Sequence, residues 1–402
     1  MKGFLETYGV AIFTLVLMAI LIAMAGPFGV RIKEYMLEKA NYTNQIGSEE
    51  IGKATNKEDK SDSDVAAMNA LYACLYTNGE LALSATPIDN SARTDVANDY
   101  GKFELKKFVL ENNPSENPYV PWYTDCEKVT TVNILNKIKP TTCSAWFLGC
   151  TNLTEIKNIE NLNTSACTEM PCMFNACSSL TSLDASHFDT STCMDMQGMF
   201  FGCKSLTSLD VSSWDTSVCT NMMCMFGDCS SLTSLDLNDW DTSACTTMEG
   251  MFYKCSSLVS LDVSNWKLSK CITMTRMFLD CSSLTSLDVS HWNTSACTDM
   301  SEMFDNCSSL TSLNASNWNT SACTNMEWMF NQCSSLISLD ASSWNTYTCT
   351  NMKGMFDMCR KLETLSGHHL SGTCNEKIQY CREHIFDMTN VINCEHMFWG
   401  EE

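Results

Sequence analysis

The sequence predicts a leucine-rich β-solenoid with short helical turns, capped at both ends and preceded by an apolar α-helix. Three observations predict it. A 26-residue unit recurs from Cys177 to about Cys359, at its cleanest between Cys281 and Asn306, with worn copies on either side. Aligning the copies gives two leucine columns, Leu180, Leu206, Leu232, Leu258, Leu284, Leu310, Leu336, Leu362 and Leu183, Leu209, Leu235, Leu261, Leu287, Leu313, Leu339, Leu365. An aromatic column follows (Phe188, Trp214, Trp240, Trp266, Trp292, Trp318, Trp344), and then a Met-x-x-Met-Phe group such as Met300–Phe304. One such unit cannot bury its own apolar face, so the units must stack.

Each part of the unit has a local reading. Leu-x-x-Leu-x-Val/Ala/Leu is a leucine-rich-repeat-like strand whose alternate residues point inward. Asp/Asn-Thr-Ser is a turn, because short polar side chains bond nearby backbone there. The i, i+3, i+4 spacing of the Met and Phe columns suits a short helical turn facing the core. Stacked at about 4.8 Å per coil, eight units give a rod of roughly 40 Å.

The unit resembles the leucine-rich repeats of the bacterial surface proteins called BspA-like. Their register runs Met-Phe-x-x-Cys-x-Ser-Leu-x-x-Leu-Asp-Leu-Ser-x-Phe-Asp-Thr-Ser-x-Val-Thr-x-Met, and the resemblance covers about residues 120–402. It implies an extracellular, non-enzymatic, adhesin-like solenoid on a bacterial cell surface. The implied partner is a protein or glycan on a host cell, a neighbouring cell or the matrix. Two columns depart from the family pattern. Its inward Val is Cys at Cys167, Cys193, Cys219, Cys245, Cys271, Cys297, Cys323 and Cys349, and its usual Phe is mostly Trp. Both departures imply a variant core, and neither implies a new active site.

Residues 1–40 read as an apolar helix. No charge falls between Glu6 and Arg31, and the run holding Tyr8, Val10, Phe13, Leu17, Leu21 and Ala25 is long enough to span a bilayer. It is too long and too poorly flanked for a plain secretory signal. Gly26-Pro27 kinks or ends it. Counting Lys and Arg on its two sides places the amino terminus outside, whereas the Cys-rich body argues the opposite. The segment also resembles the N-terminal helices of Flp/Tad-type pilins, with Gly3-Phe4 as a candidate processing site. That resemblance implies a structural subunit of an extracellular type IV-like filament, homo-oligomeric through this helix. Pilins usually carry Glu at the fifth mature position, whereas Glu6 would be the third. Membrane anchor and filament helix both stand as readings. Residues 41–65 are polar, lack apolar periodicity and read as a linker.

Residues 66–150 read as a β-rich N-terminal cap. Ala70–Tyr76 and Glu80–Ser84 flank Thr77-Asn78-Gly79 as a hairpin, with the glycine supplying positive φ. A solenoid needs its first coil covered, or the open edge pairs with other chains. Residues 151–366 are the rod, and 367–402 the C-terminal cap, where the register breaks at Gly367-His368-His369. That His pair has no Cys or His partner at ligand spacing nearby and reads as loop.

Twenty-five cysteines are the loudest feature. One column is the series above. The other is Cys177, Cys203, Cys229, Cys255, Cys281, Cys307, Cys333 and Cys359. Three readings stay open. Buried thiols can act as small apolar side chains. The two columns can be disulfide-bonded within a coil or between adjacent coils, as an exterior location permits. Cys74/Cys126, Cys143/Cys150 and Cys374/Cys381 are then candidate cap pairs. The third reading is metal or redox chemistry, prompted by Cys167/Cys172/Cys177 and Cys219/Cys224/Cys229; no Cys-x-x-Cys spacing supports it.

The net charge of −22, most of it on the repeats, argues against a nucleic-acid partner, which needs a basic face. No phosphate loop, nucleophile elbow or His-Glu-x-x-His occurs. The sequence therefore predicts no enzyme, no cofactor and no metal. Expected contacts are the variable positions between constant columns, such as His187, Asp239, His291 and Trp328.

Overall fold

A computed structural model describes residues 66–105 and 120–398. The expected N-terminal helix, its Gly3-Phe4 and pilin readings, and the linker lie outside the described residues. Among the described residues no helix is long and apolar enough to cross a membrane.

The chain starts with a sheet that converts hairpin pairing into parallel stacking. Strands β1 (Ala70–Tyr76), β2 (Glu80–Ser84), β3 (Val96–Glu104), β4 (Thr131–Ile134) and β5 (Glu155–Lys157) lie in the order β3-β1-β2-β4-β5. β1 pairs antiparallel with β2 and β3; β2, β4 and β5 pair in parallel. The hairpin turn needs Gly79. Its φ is +85°, and a Cβ there would sit 2.6 Å from Thr130 Oγ1 and 2.8 Å from the Lys128 carbonyl. β1 turns Leu71, Ala73 and Leu75 into the main core and Cys74 and Tyr76 toward Ala82 on its other side. Trp122 plugs the junction with the first coil, donating from Nε1 to the Trp146 carbonyl at 2.7 Å. The outer strand β3 is largely exposed, carries Lys102 and Glu104, and pairs with β1 through two register shifts. Charge and irregularity of this kind blunt an edge against further pairing.

Beyond β5 the chain winds as a rod of stacked coils. Among the described residues, four of the coils between Cys177 and Cys359 hold true strands: β6 (Ser182–Asp184), β7 (Ser208–Asp210), β8 (Ser312–Asn314) and β9 (Ser338–Asp340). They pair in parallel in strict register, Leu183 with Leu209 and Leu313 with Leu339. Between them, Ser260 and Ser286 share a single bridge. A second ladder, one residue wide, is unbroken from Glu169 through Asp195, Asn221, Thr247, Thr273, Asp299, Asn325 and Asn351 to Asn393.

The Met-Phe segment differs from the expected short helical turns. It is a chain of hydrogen-bonded turns with left-handed residues every fourth position, such as Cys172 and Ala176, Arg276 and Asp280, or Trp328 and Gln332. Positive φ cannot continue a right-handed helix. Backbone N–H groups instead point along the rod: Met274, Arg276, Phe278 and Asp280 donate to the carbonyls of Asp299, Ser301, Met303 and Asp305 in the next coil. The i, i+3, i+4 pattern survives because tight turns also return side chains to one face.

Inside, the aromatic columns stack along the rod. Phe147, Phe174, Phe200, Phe226, Phe252, Phe278, Phe304, Phe330, Phe356 and Phe398 form one pile, most rings 5.4–5.8 Å apart and nearly parallel. A second column stacks in two runs, Phe188, Trp214 and Trp240, then Trp266, Trp292, Trp318, Trp344 and Phe386. Trp214, Trp240, Trp292, Trp318 and Trp344 each donate from Nε1 to a carbonyl one coil back (Ala185, Val211, Val263, Val289, Ala315). At the far end β10 (Thr364–Leu365) pairs in parallel with β9, and β11 (His368–His369) folds back antiparallel on β10. Helix α1 (Cys374–His384) follows, started by a capping box between Thr373 and Glu376. The chain then rejoins the rod, with Met352, Gly354 and Phe356 donating to Asn393, Glu395 and Met397.

Candidate functional site

The rod presents chemically different sides. The strand side is the more regular. Thr-Ser-Leu-Asp recurs there, as in Thr181-Ser182-Leu183-Asp184 and Thr285-Ser286-Leu287-Asp288, with only the leucine buried; exposed Val259 and Ile337 replace the threonine, and Asn314 the aspartate, in three coils. The aspartate ends the strand by accepting from the N–H and hydroxyl of the serine two residues on, Ser186 to Asp184 and Ser290 to Asp288. Those bonds hold the Asp184 and Asp288 carboxyls below the usual carboxylate range. The threonine hydroxyls donate along the rod to the preceding coil, Thr207 to the Thr181 carbonyl and Thr285 to the Val259 carbonyl. Of the expected contact residues, His187, Asp239 and His291 are exposed at the rim of this side.

The turn side is varied. Its left-handed positions would be least costly as glycine, yet they hold Cys172, Cys224, Arg276, Glu302 and Trp328 in one column and Asp228, Lys254, Asp280, Asn306, Gln332 and Met358 in the next. Neighbouring coils complement one another there. Arg276 makes a bidentate pair with Glu302. Asn306 donates to Asp280 and Asn331 to Asp305, each at 2.8 Å. Phe201 lies where a Cβ on Gly227 would be, 2.7 Å from its ring, and Trp328 covers Gly354. Trp328 is thus half-buried, in contrast to the exposed contact expected for it.

The cysteines fall into place as two ladders. All 25 are unbridged thiols in this structure. Cys167, Cys193, Cys219, Cys245, Cys271, Cys297, Cys323 and Cys349 line one side of the core, and Cys143 begins that ladder with its sulfur 3.4 Å from Cys167. Cys177, Cys203, Cys229, Cys255, Cys281, Cys307, Cys333 and Cys359 line the other, begun by Cys150 beside Cys126. The sulfur neighbours of a rod cysteine belong to its own column, Cys193 and Cys245 around Cys219, Cys203 and Cys255 around Cys229. Each thiol of the second ladder donates to a phenylalanine carbonyl one coil back: Cys203 to Phe174, Cys229 to Phe200, Cys255 to Phe226, at 3.1–3.2 Å. The first ladder bonds locally, as Cys245 does to the Thr247 carbonyl. Burial pushes the thiols of Cys203, Cys245, Cys255 and Cys297 up to about 12.

The cap pairs are not brought together. Cys74 accepts from Asn90 on the face of β1 opposite the core that holds Cys126. Cys143 and Cys150 start different ladders. Cys374 and Cys381 lie seven residues apart in α1, roughly 10 Å along the axis and beyond disulfide reach. Cys172 and Cys224 belong to neither ladder and sit on the turn side. Among the described residues no group of three or more His, Cys, Asp or Glu side chains is arranged to hold a metal ion.

These ladders define the molecule as a solenoid of stacked 26-residue coils. Family matching agrees with the repeat: overlapping segments 141–260, 178–287, 246–369 and 281–401 match the family described as "Mycoplasma protein of unknown function, DUF285". They span residues 141–401 without a gap, well over half the chain, and the chain belongs to that family. No curated protein matches. Among solved structures the chain is similar to a leucine-rich repeat protein from Eubacterium ventriosum, 12% identical over 76% of this chain and 95% of that one, TM-score 0.28. It is also similar to a leucine-rich cell surface protein from Faecalibacterium prausnitzii (16%, 79% and 97%, TM-score 0.26) and a leucine-rich repeat protein from Bacteroides ovatus (15%, 75% and 88%, TM-score 0.26).

Proposed function

We propose that this chain is a non-enzymatic, adhesin-like rod displayed on a bacterial cell surface, binding a protein or glycan of another cell or of the matrix. The observation that carries this reading is the strand side, where an exposed serine recurs once per coil at fixed spacing, within a Thr-Ser-x-Asp group in the coils of Thr181, Thr207, Thr233 and Thr285. Single contacts to such groups are weak, but a repeated array multiplies them when the partner is itself extended or multivalent. The interior supports a binding role over a catalytic one. Its columns are filled by interlocking side chains, and two surface depressions, about 490 Å³ at Tyr347–Ile392 and about 370 Å³ at Tyr76–Asn136, open broadly to solvent. Catalytic clefts are usually enclosed and few.

The test is adhesion. Cells displaying the full chain are compared with cells displaying a chain whose strand-side aspartates Asp184, Asp210, Asp236, Asp262 and Asp288 are replaced by Asn, the residue already present at Asn314. Binding to a panel of cells and matrix proteins that falls in the variant supports the reading. Absence of binding by the unmodified chain to every member of the panel sinks it.

A further inference from the structure

One coil of the rod is laced on the turn side and loose on the strand side. Among the described residues, each coil from Cys177 to Leu365 gives the strand ladder a strand or a bridge, except the coil of residues 229–254, which gives neither. Thr233 keeps one backbone bond to the next coil, accepting from the Val259 N–H at 3.2 Å. One layer deeper the tryptophan column parts at the same place. Trp214 and Trp240 stack at 6.2 Å, and Trp266 and Trp292 at 6.2 Å, but among the described residues no stack joins Trp240 to Trp266. Trp266 Nε1 is buried there without a partner, whereas Trp292 Nε1, one coil on, reaches the Val263 carbonyl at 2.9 Å.

The opposite side of this coil is closed. Met222, Cys224 and Phe226 donate to Thr247, Glu249 and Met251, and Met248, Gly250 and Phe252 donate to Thr273, Thr275 and Met277. Phe226, Phe252 and Phe278 stack without a gap, at 5.7 and 5.4 Å. Leu237 accounts for the difference. It is fully buried at the position that holds Ala185, Val211, Val263 and Val289 in other coils. A leucine in a slot spaced for valine pushes its neighbours apart, as overpacking does in any close-packed core.

We propose that the coil of residues 229–254 is a hinge created by Leu237: the laced turn side is its axis, and the strand side opens and closes across it. The coils before residue 229 then swing against those after residue 254 while each group stays packed. Hinges concentrate motion in a few residues between intact bodies. Local opening also begins where backbone bonds and buried contacts are sparsest, and that describes the strand side of this coil. Opening changes the angle between the strand-side groups around Thr181 and Thr207 and those around Thr285 and Thr311. The inference goes beyond the strand-side reading and stands without it, because the motion belongs to the rod with or without a partner.

The experiment measures distances between spin labels on introduced cysteines in the full chain. Thr207→Cys with Thr311→Cys spans the hinge coil; Val259→Cys with Glu363→Cys lies beyond it. Each pair is four coils apart, about 20 Å, and all four positions are exposed. Cys374 and Cys394, which are partly exposed, are replaced by serine, and the remaining thiols are buried. Dipolar electron paramagnetic resonance is expected to give a distance distribution about twofold wider for the first pair than for the second, and Leu237→Val is expected to narrow it to match. Equal widths overturn the proposal, as does a wide distribution that Leu237→Val leaves unchanged. Should a labelled variant fail to fold, hydrogen exchange of the unmodified chain decides. The Val259 N–H is then expected to exchange about tenfold or more faster than the Ile337 N–H, which makes the equivalent bond to Thr311 at 2.8 Å. Equal protection of the two contradicts the hinge. Neither readout involves a binding partner, so failure here leaves the strand-side reading to its own adhesion test.

Discussion

At the scale of single residues, the thiols show most directly how chemistry is placed. A column-two cysteine is small enough for the interior and still donates to a backbone carbonyl that valine would leave bare. Cys229→Ala is therefore expected to cost about 2 kcal/mol, from a lost donor plus a small cavity, measured as a shift in denaturant midpoint. The same burial makes the ladders inert. Native alkylation is expected at Cys374 and Cys394, which are partly exposed, with the rest reacting only after denaturation. Mass spectrometry showing two-hydrogen losses on ladder peptides would instead establish disulfides. Asp305 gives a second signature. Its folded pKa near 8 lies above its unfolded value, so its contribution is full at low pH and falls as pH rises from about 4 to 8. Asp184, Asp241 and Asp288, with lowered folded values, act in the opposite sense and lose their contribution as pH falls. Asp305→Asn should flatten the decline in urea midpoint between pH 5 and 8; an unchanged slope would show that Asp305 titrates normally.

At the scale of elements, one coil breaks the pattern in an informative way. Trp266 Nε1 is buried without a partner, while five other tryptophans of the column donate one coil back. By register its acceptor would be the carbonyl of residue 237, where Leu237 stands in a column otherwise holding Ala185, Val211, Val263, Val289, Ala315 and Ala341. The larger side chain is the evident reason the coils do not close there. Leu237→Val should be neutral or stabilising, although losing one methylene ordinarily costs about 1 kcal/mol. A loss of that size would show that the missing bond has another cause. The turn side offers a paired test: Gly227→Ala forces a Cβ into Phe201 and should destabilise by roughly 1–3 kcal/mol, and Phe201→Ala should remove most of that penalty.

These elements also show what was legible in the sequence. The leucine, aromatic, Met-Phe and cysteine columns could be read because each holds nearly one residue type, and burial follows the columns. The hairpin at Gly79 was equally readable. The turn geometry was not, since i, i+3, i+4 spacing is shared by helices and by serial tight turns. The signal that could have found it was Gly198, Gly202, Gly250 and Gly354 recurring where a helix would disfavour glycine. The acidic side chains of the turn side were hidden for another reason. Asp280, Glu302 and Asp305 are separated in sequence and meet only when coils stack, and the unpartnered Asp357 oxygen shows only in three dimensions.

At the scale of the whole molecule, both ends of the strand ladder are closed by antiparallel pairing, β3 on β1 at one end and β11 on β10 at the other. Such ends favour a discrete rod over end-to-end growth through the strands. Removing residues 366–402 would expose the edges of β10 and of the Asn351 coil, and this truncation is expected to form elongated aggregates by light scattering where the full chain does not. The central claim is that the rod is displayed outward to bind. Immunogold labelling of intact cells with an antibody against residues 150–360 tests it most directly. Label on unpermeabilised cells is the predicted result. Label that appears only after permeabilisation would contradict surface display and remove the adhesive reading with it.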